Sequence, residues 1–284
     1  MTAARKVVDA TVHLDHVGFI VRDLATSARL AEQLGFTLTA RADHSRTDAH
    51  GRSVPAGSSQ HSIMLRSGYV ELMQITDPQA GHQLANAPTV RHGLHIVAFG
   101  TTDAVACHAR RLQDGVQVGP VLYWSRPVHE HDLQGMAQFA YFGSQWTAQD
   151  PSYLCWVEHR TPQLLRNERL LRHSHGAHTL DAIVYAGPAE PARRWGDQLV
   201  AAGASCHETT SALWQLRLPN ASITIRVDPH LPAVLPQALV FGGADTQWLR
   251  ARCDSLGLHC NASAGGALDI DLVDALGMHW VFRP

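Results

Sequence analysis

Four segments of the chain repeat one pattern of apolar and polar positions. Each begins with a short run rich in apolar and β-branched residues, continues with apolar residues at helical spacing, and stops at a glycine. The four glycines are Gly35, Gly115, Gly203 and Gly257. Glycine is typical of the left-handed position just after a helix. The pattern therefore predicts four strand–helix units, each about 20 residues long.

Strand-like segments follow each glycine. In the first unit they lie at residues 36–42, 60–66 and 69–75, with Ser67-Gly68 as a tight turn. The repeating unit is therefore β-α-β-β-β. A small sheet with one helix cannot cover both of its faces, so we expect the units to pair. The predicted fold is α+β, with two paired, barrel-like concave sheets formed by residues 12–165 and 178–284.

Residues 126–150 do not follow this pattern. The segment is an enlarged insertion in the second unit and carries His129, His131 and Trp146. A long insertion in a compact domain is often a lid or a binding loop. We expect it to gate a site in the first pair of units.

Charge and composition narrow the function. The chain has 284 residues, with 23 Lys+Arg against 25 Asp+Glu, a formal net charge of −2, and no basic block. Nucleic acid and membrane surfaces are therefore poor main partners. No apolar run approaches the roughly 18 residues that span a bilayer, and nothing suggests an export signal. The odd number of scattered cysteines, five, favours reduced thiols, so we expect a cytoplasmic protein.

Three short motifs resemble the vicinal oxygen chelate superfamily, which includes glyoxalase I, extradiol dioxygenases and antibiotic-resistance proteins. More narrowly, the chain resembles bacterial glyoxalase-like domain proteins. The motifs are Leu14-Asp15-His16-Val17, Gly68-Tyr69-Val70-Glu71-Leu72 and Glu158-His159-Arg160-Thr161-Pro162. The resemblance covers residues 12–165 well and the remainder only as a repeat.

This resemblance implies a divalent metal ion (Fe, Mn, Zn or Ni) inside the first paired sheet. Its ligands come from the first and last strands of each unit, and the resemblance places them at His16, Glu71 and His95. The fourth corner is either open or occupied by Cys155. Two imidazoles and one carboxylate suit these metals and leave positions for two adjacent oxygens of a substrate. Glyoxalase I often has a second glutamate in the fourth corner, and this chain departs from that pattern.

The second pair of units lacks these donors. Its corresponding positions are Ala182, Ser222, Gln237 and Gly277, and alanine and glycine have no side-chain donor. Typical four-unit extradiol dioxygenases hold their metal in this second pair. We therefore expect residues 178–284 to be a metal-free structural partner or the contact of a homodimer.

Other polar residues are candidates for roles around the cavity. His61 and His159 are candidate acid–base groups, Arg126 and His129 are candidates for binding a substrate anion, and Trp146 is a candidate for stacking on a ring. Each also has a plainer interpretation as a packing or surface residue. No dinucleotide, P-loop or serine-hydrolase motif is present.

Three functions are compatible with these features. The first is a metal-dependent lyase, isomerase or dioxygenase that acts on a small molecule with vicinal oxygens. The alternative is a metal-free protein that binds or sequesters a small molecule, as some antibiotic-resistance relatives do. A purely structural or dimerisation role is the third.

Overall fold

A computed structural model of the protein describes residues 12–47, 50, 52–80, 92–130, 133–147 and 149–284. Over these ranges the chain forms two eight-stranded sheets with helices packed against them. The predicted α+β fold with paired, barrel-like sheets is confirmed. No helix within the described ranges is both long and apolar enough to cross a membrane.

The N-terminal part of the chain forms the eight strands of the first sheet and two helices. They are β1 (His13–Ile20), α1 (Leu24–Gln33), β2 (Ala42–Thr47), β3 (Ser53–Met64), β4 (Tyr69–Ile75), β5 (Gly93–Gly100), α2 (Ala104–Gln113), β6 (Leu122–Glu130), β7 (Leu133–Gly143) and β8 (Tyr153–His159). The strand order is β2-β3-β4-β1-β5-β8-β7-β6. Strands β1 and β5 are antiparallel at the centre, and each runs parallel to the last strand of its own unit. The edge strands β2 and β6 approach each other, which curls the sheet into a nearly closed barrel.

The second sheet repeats this order. Its elements are β9 (Thr179–Gly187), α3 (Ala189–Ala202), β10 (Ser205–Thr209), β11 (Leu213–Arg217), β12 (Ser222–Val227), β13 (Leu235–Gly242), α4 (Thr246–Leu256), β14 (Cys260–Ala262), β15 (Leu268–Ile270), α5 (Val273–Leu276) and β16 (His279–Phe282). Strands β9 and β13 are the antiparallel centre.

Helix ends follow the sequence signals. Helices α1, α2 and α4 begin after Asp23, Asp103 and Asp245, whose carboxylates accept hydrogen bonds from backbone N–H groups of the first turn. These bonds satisfy donors that a helix start otherwise leaves free. All four glycines predicted to end the helices have a positive φ, from 68° to 124°.

Two sequence-based expectations about local structure are wrong. Residues 36–42 are not a strand, because β2 begins only at Ala42. Most of the segment 126–150 is not an inserted loop, because β6 and β7, which reach to Gly143, pair as a hairpin equivalent to β2 and β3. This hairpin ends in the edge strand β6, where the exposed apolar residues Leu122 and Tyr123 and a proline, Pro127, obscure the alternation that marks a half-buried strand. His131 lies outside the described residues.

The main core lies outside the interior of the first sheet, where both sheets and the helices pack together. Apolar side chains of both sheets and all four long helices form one cluster there, anchored by the fully buried rings of Trp156, Trp195 and Trp280. A smaller cluster that includes Met73, Ile96 and Cys155 lies inside the first sheet. That interior is only partly filled, and a cavity remains.

Candidate functional site in the N-terminal sheet

The cavity inside the first sheet holds about 140 Å³, and all eight strands contribute to its wall. Its polar lining consists of His16, His44, Ser45, Gln60, Glu71, Ser125 and Arg126. Its aromatic lining consists of Tyr69, Trp124, Phe139, Tyr141 and Tyr153. A concave site with mostly apolar walls and a few converging polar groups is typical of small-molecule binding.

A β-bulge in β1 brings two adjacent side chains together. Leu14 pairs with Phe99 and His16 pairs with Ala98, so Asp15 is an extra residue between them. A bulge interrupts the alternation of side chains between the two faces and re-aims a residue. As a result, Oδ2 of Asp15 lies 2.7 Å from Nδ1 of the neighbouring His16.

The Asp15 carboxylate also contacts a second imidazole. Nε2 of His159, at the end of β8, lies 2.9 Å and 3.0 Å from the two oxygens of Asp15. Burial opposes the charge of this carboxylate, but the two histidines outweigh burial and hold the pKa of Asp15 well below its usual range. An ionised carboxylate only accepts hydrogen bonds, so Nδ1 of His16 donates. Nε2 of a neutral His16 is then the ring's acceptor.

Glu71 is a second ionised carboxylate on the wall. It lies on β4 opposite Gly18, and Nε2 of His44 is 3.4 Å from its Oε1. Nδ1 of His44 is in turn 2.7 Å from Oγ of Ser58. Burial alone would raise the pKa of Glu71, but the hydrogen bond and charge of His44, with the charges of His16 and Arg126, lower it to about 2.

Tyr69 stacks on the His16 ring with a centroid distance of 4.4 Å. Burial, together with the charges of Asp15 and Glu71, raises the pKa of Tyr69 well above its usual value. Its hydroxyl therefore keeps its proton near neutral pH. Tyr69 lines the cavity beside His16 as a neutral hydrogen-bond donor.

Cys155 occupies the corner of the second unit that corresponds to Glu71. It pairs with Ala98 on β5 as Glu71 pairs with Gly18 on β1. Burial, with the charges of Glu71 and Asp15, raises the pKa of the Cys155 thiol far above its usual range. The thiolate is the form that attacks electrophiles, so this neutral thiol is a weak nucleophile.

The expectation that His95 converges on His16 and Glu71 is wrong. Leu94 pairs with Phe19 and Ile96 pairs with Gly18, so His95 is itself the extra residue of a bulge. It is fully buried and packs against Trp146, and Ile96 lines the cavity instead. The residue equivalent to His16 is therefore Ile96, one position further along the chain.

The predicted three-donor metal site is consequently not formed. Among the described residues, no three His, Cys, Asp or Glu side chains are grouped so that they could hold a metal ion. The four positions used by the family hold His16, Glu71, Ile96 and Cys155. Isoleucine has no ligating atom, so the second unit is left with one ligating group at these positions, the thiol of Cys155. This donor set does not fit a metal bound through two ligands from each unit.

The other predicted site residues are distributed around the cavity. Arg126 lines it, whereas His129 is exposed on β6 and does not. His61 pairs with Leu72 and therefore faces away from Glu71, with its Nδ1 2.8 Å from the carbonyl oxygen of Thr39. The cavity roles expected for His61 and His129 are thus wrong, because strand register directs both away from it.

His159 and Trp146 also lie outside the cavity lining, but they contact residues that form it. His159 contacts Asp15 and so acts on His16 through that carboxylate. The ring of Trp146 packs beside Tyr153, which lines the cavity, and its Nε1 donates to the carbonyl of Asp150. Direct contact of Trp146 with a substrate is therefore not supported.

Sequence reasoning missed Asp15, His44 and Tyr69. Asp15 and Tyr69 stand in the motifs that carry the family resemblance, next to the residues selected as ligands. No local signal identifies His44, because it lies 27 residues before Glu71 and reaches it only through the β2–β3 hairpin.

The second sheet has no comparable set of groups. Strand register places Ala182, Thr224, Ala238 and Val281 at the four positions equivalent to His16, Glu71, Ile96 and Cys155. Ala182 is as expected, while Ser222, Gln237 and Gly277 are one to four residues away from the true equivalents. None of the four supplies an imidazole, a thiol or a carboxylate.

Comparisons with known proteins agree with this fold. A structure of a hypothetical protein from Staphylococcus aureus matches with a TM-score of 0.65 and 11% identity, covering 96% of this chain and 99% of that one. A mutant of 4-hydroxymandelate synthase from Streptomyces coelicolor matches with a TM-score of 0.56 and 11% identity, covering 96% and 92%. A xylose isomerase-like TIM barrel/4-hydroxyphenylpyruvate dioxygenase fusion protein matches with a TM-score of 0.55 and 13% identity. The match covers 99% of this chain and 50% of the fusion protein.

The comparisons by sequence match the chain to one family. No curated protein matches the chain. The family description of the glyoxalase-like domain matches residues 14–200, which is more than half of the chain and includes β1, β4 and β8. The chain therefore belongs to the glyoxalase-like domain family of the vicinal oxygen chelate superfamily.

Proposed function

We propose that this protein is an enzyme that removes a proton from a small molecule with vicinal oxygens, with His16 as the base. The observation that carries the proposal is the 2.7 Å contact between Nδ1 of His16 and Oδ2 of Asp15 at the wall of a cavity. A buried carboxylate that holds one ring nitrogen fixes the tautomer and stabilises the imidazolium that forms when the other nitrogen accepts a proton.

The cavity residues supply the remaining parts of such a step. Nε2 of His16 takes a proton from a carbon next to a carbonyl group, and the electron pair of the C–H bond moves onto the carbonyl oxygen as an enolate. The protonated Tyr69 hydroxyl donates a hydrogen bond to that oxygen as its charge develops. The imidazolium then returns the proton in one of two ways. Protonation of the same carbon on its opposite face, after the enolate has turned over, gives a racemisation. Where that carbon carries a hydroxyl group, protonation of the former carbonyl carbon, with the hydroxyl proton passing to the former carbonyl oxygen, moves the carbonyl group by one carbon and gives an isomerisation.

Hydrogen–deuterium exchange tests this step without knowledge of the natural substrate. The probes are the 2-oxo acids pyruvate and phenylpyruvate, whose carbonyl and carboxylate oxygens are adjacent and whose C3 hydrogens are acidic. We expect the protein in D₂O to accelerate loss of the C3–H proton signal above the buffer rate, and we expect His16→Gln to abolish the acceleration. The matched control is His207→Gln, an exposed histidine on β10. A probe that binds but exchanges only at the buffer rate would contradict the proposal.

A metal-free binding protein is the second candidate function. It is favoured by the aromatic walls of the cavity, which offer a large apolar contact area without any reacting group. In that case His16→Gln should change probe affinity by no more than about threefold, and wild-type protein should not accelerate exchange. The two candidates therefore give opposite results in the same assay.

A further inference from the structure

Arg126 is a cation on the cavity wall with no acid directly beside it. It lies on β6 and is half-buried, and its guanidinium carbon sits 6.0 Å from the centre of the Phe139 ring. None of the ion pairs among the described residues includes Arg126. The two carboxylates of the site, on Asp15 and Glu71, are instead engaged by histidines.

Glu71 acts on Arg126 only through its charge and not as a hydrogen-bond partner, so this half-buried cation is incompletely paired. Removal of water from a charge costs free energy that is recovered when an ion of opposite sign binds. Guanidinium groups bind carboxylates with two parallel hydrogen bonds, which gives both orientation and affinity. Arg126 is therefore suited to hold a carboxylate that enters with a ligand.

The walls next to Arg126 are aromatic. The rings of Trp124 and Tyr141 contact each other edge-on at 5.1 Å, and Phe139 lies under the guanidinium. All three rings line the cavity. Edge-to-face and offset contacts between aromatic rings are more favourable than the burial of the same apolar area alone, so these walls favour an aromatic ring.

The size of the cavity favours a ligand with one ring. An apolar cavity of about 150 Å³ in another protein holds one benzene molecule, and this cavity holds about 140 Å³. The second ring of a fused two-ring system would extend out of this volume and lose contact with the walls. Because the cavity is open to solvent, a short polar substituent can extend from a single ring.

The charge of Glu71 favours a ligand with a single negative charge. Its carboxylate is ionised and lies near enough to Arg126 for their charges to interact. A carboxylate monoanion placed on Arg126 is repelled by Glu71 less than a phosphate dianion would be.

We infer that the cavity binds a single-ring aromatic carboxylate, with the carboxylate on Arg126 and the ring against Trp124, Phe139 and Tyr141. This inference rests on the cavity of the proposed function, and it names the substrate class. It does not depend on proton transfer by His16, because benzoate, which has no exchangeable C–H next to a carbonyl, is an adequate probe of binding.

The experiment is titration calorimetry of the full-length protein with four probes. Benzoate should bind, and benzyl alcohol, cyclohexanecarboxylate and 1-naphthoate should each bind at least about fivefold more weakly. Arg126→Gln should weaken benzoate binding at least tenfold and leave benzyl alcohol unchanged. The matched control is Arg160→Gln, because Arg160 also lies over an aromatic ring, that of Tyr123 at 5.6 Å, but not in the cavity lining.

Three outcomes would overturn the inference. They are equal affinity for benzoate and benzyl alcohol, unchanged benzoate affinity in a folded Arg126→Gln variant, and an equal loss in Arg160→Gln. Arg126→Lys guards against misfolding, since it keeps the charge and should lose less affinity than Arg126→Gln. Benzoate binding without exchange of any 2-oxo acid would leave this inference standing and remove the proposed catalysis. Exchange without carboxylate preference would do the reverse.

Discussion

The side chains of Asp15 and His159 join the first and last strands of the N-terminal sheet, because Nε2 of His159 lies within 3.0 Å of both oxygens of the Asp15 carboxylate. Strand β1 belongs to the first unit and β8 to the second. The contact therefore holds the two units together beside His16, and one buried charge orients two imidazoles.

Asp15→Asn tests this arrangement. The amide keeps the size of the side chain but has no charge, and its NH₂ group, which is a donor, replaces one of the two accepting oxygens beside the imidazoles. We expect the exchange rate with a 2-oxo acid to fall by about 10²–10⁴-fold, chiefly in kcat rather than KM, which is the usual contribution of acid–base catalysis. We also expect a loss of about 1–3 kcal/mol in the free energy of unfolding. Kinetics and urea denaturation measure the two effects.

The control for that variant is Asp254→Asn, an exposed aspartate on α4. It should change neither the rate nor the stability. An Asp15→Asn protein with wild-type kcat would show that the carboxylate does not support a base.

Gly18→Ala tests the packing of the cavity floor. A Cβ atom at Gly18 would lie 2.7 Å from Cδ1 and 2.9 Å from Cβ of Ile96, closer than real carbon atoms approach. We expect a loss of about 1–3 kcal/mol in the free energy of unfolding, as for other overpacked sites. Ile96→Ala in the same chain should restore part of it.

Gly119→Ala is the matched control for Gly18, because its nearest neighbouring atom would be 3.9 Å away. It should change the free energy of unfolding by less than about 0.5 kcal/mol. Equal effects of the two single substitutions would contradict the close approach of β1 and β5.

The four repeated units of the fold could be predicted from the sequence. The alignment of β5 with β1 could not, and it differed from the expected alignment by one residue. The glycines and the helical spacing define the four units, and those features are local. Asp15 and His95 are the residues that show the limit. Each is the extra residue of a bulge on the first strand of its unit, so Asp15 corresponds to His95 and His16 corresponds to Ile96.

A register error of one position reverses the face of every side chain in a strand. The shared histidine in the two strands suggested an alignment that placed His95 opposite His16. Bulges leave no local mark in the sequence, because they are set by the partner strand. The residue identities could therefore predict His16 and Glu71 in one cavity but not the position of His95.

The same strand register predicts that the purified protein does not bind a metal ion at this site. Because Ile96 has no ligating atom and the described residues form no group of three ligating side chains, we expect dialysis against EDTA to leave the thermal midpoint and the exchange rate unchanged. Mass spectrometry of the purified protein after incubation with Fe(II), Mn(II), Ni(II) or Zn(II) should find no stoichiometric metal. A bound metal that is lost in both Glu71→Gln and His44→Gln would contradict this and would make His44 the replacement for the missing donor.

His175 predicts how stability depends on pH. It is fully buried between the two sheets, against Phe36 and Phe282, and burial, with the neighbouring His173, lowers its pKa from 6.5 to about 3. Between these two pH values the unfolded chain binds a proton at His175 and the folded protein does not. The contribution of this neutral histidine to the free energy of unfolding is therefore complete above pH 6.5, and it decreases by about 1.4 kcal/mol per pH unit as the pH falls toward 3.

In the wild-type protein, Nδ1 of His175 accepts a hydrogen bond from the backbone N–H of Ala177. His175→Asn removes the titrating group, and its amide oxygen can replace Nδ1 as the acceptor. The slope of unfolding free energy against pH between 6 and 4 should decrease by about 1.4 kcal/mol per unit, while His207→Asn should leave it unchanged. An unchanged slope in His175→Asn would mean that this ring takes up its proton in the folded state.

The tautomer of His16 shows without any substrate whether this residue can act as the base. A long-range ¹H–¹⁵N spectrum of histidine-labelled protein, assigned with His16→Gln and recorded where the imidazole is neutral, shows which ring nitrogen carries the proton. We predict a protonated Nδ1, bound to Asp15, and an unprotonated Nε2 that can contact a ligand. A proton on Nε2 with Nδ1 bare would contradict it, since His16 could not then act as the base.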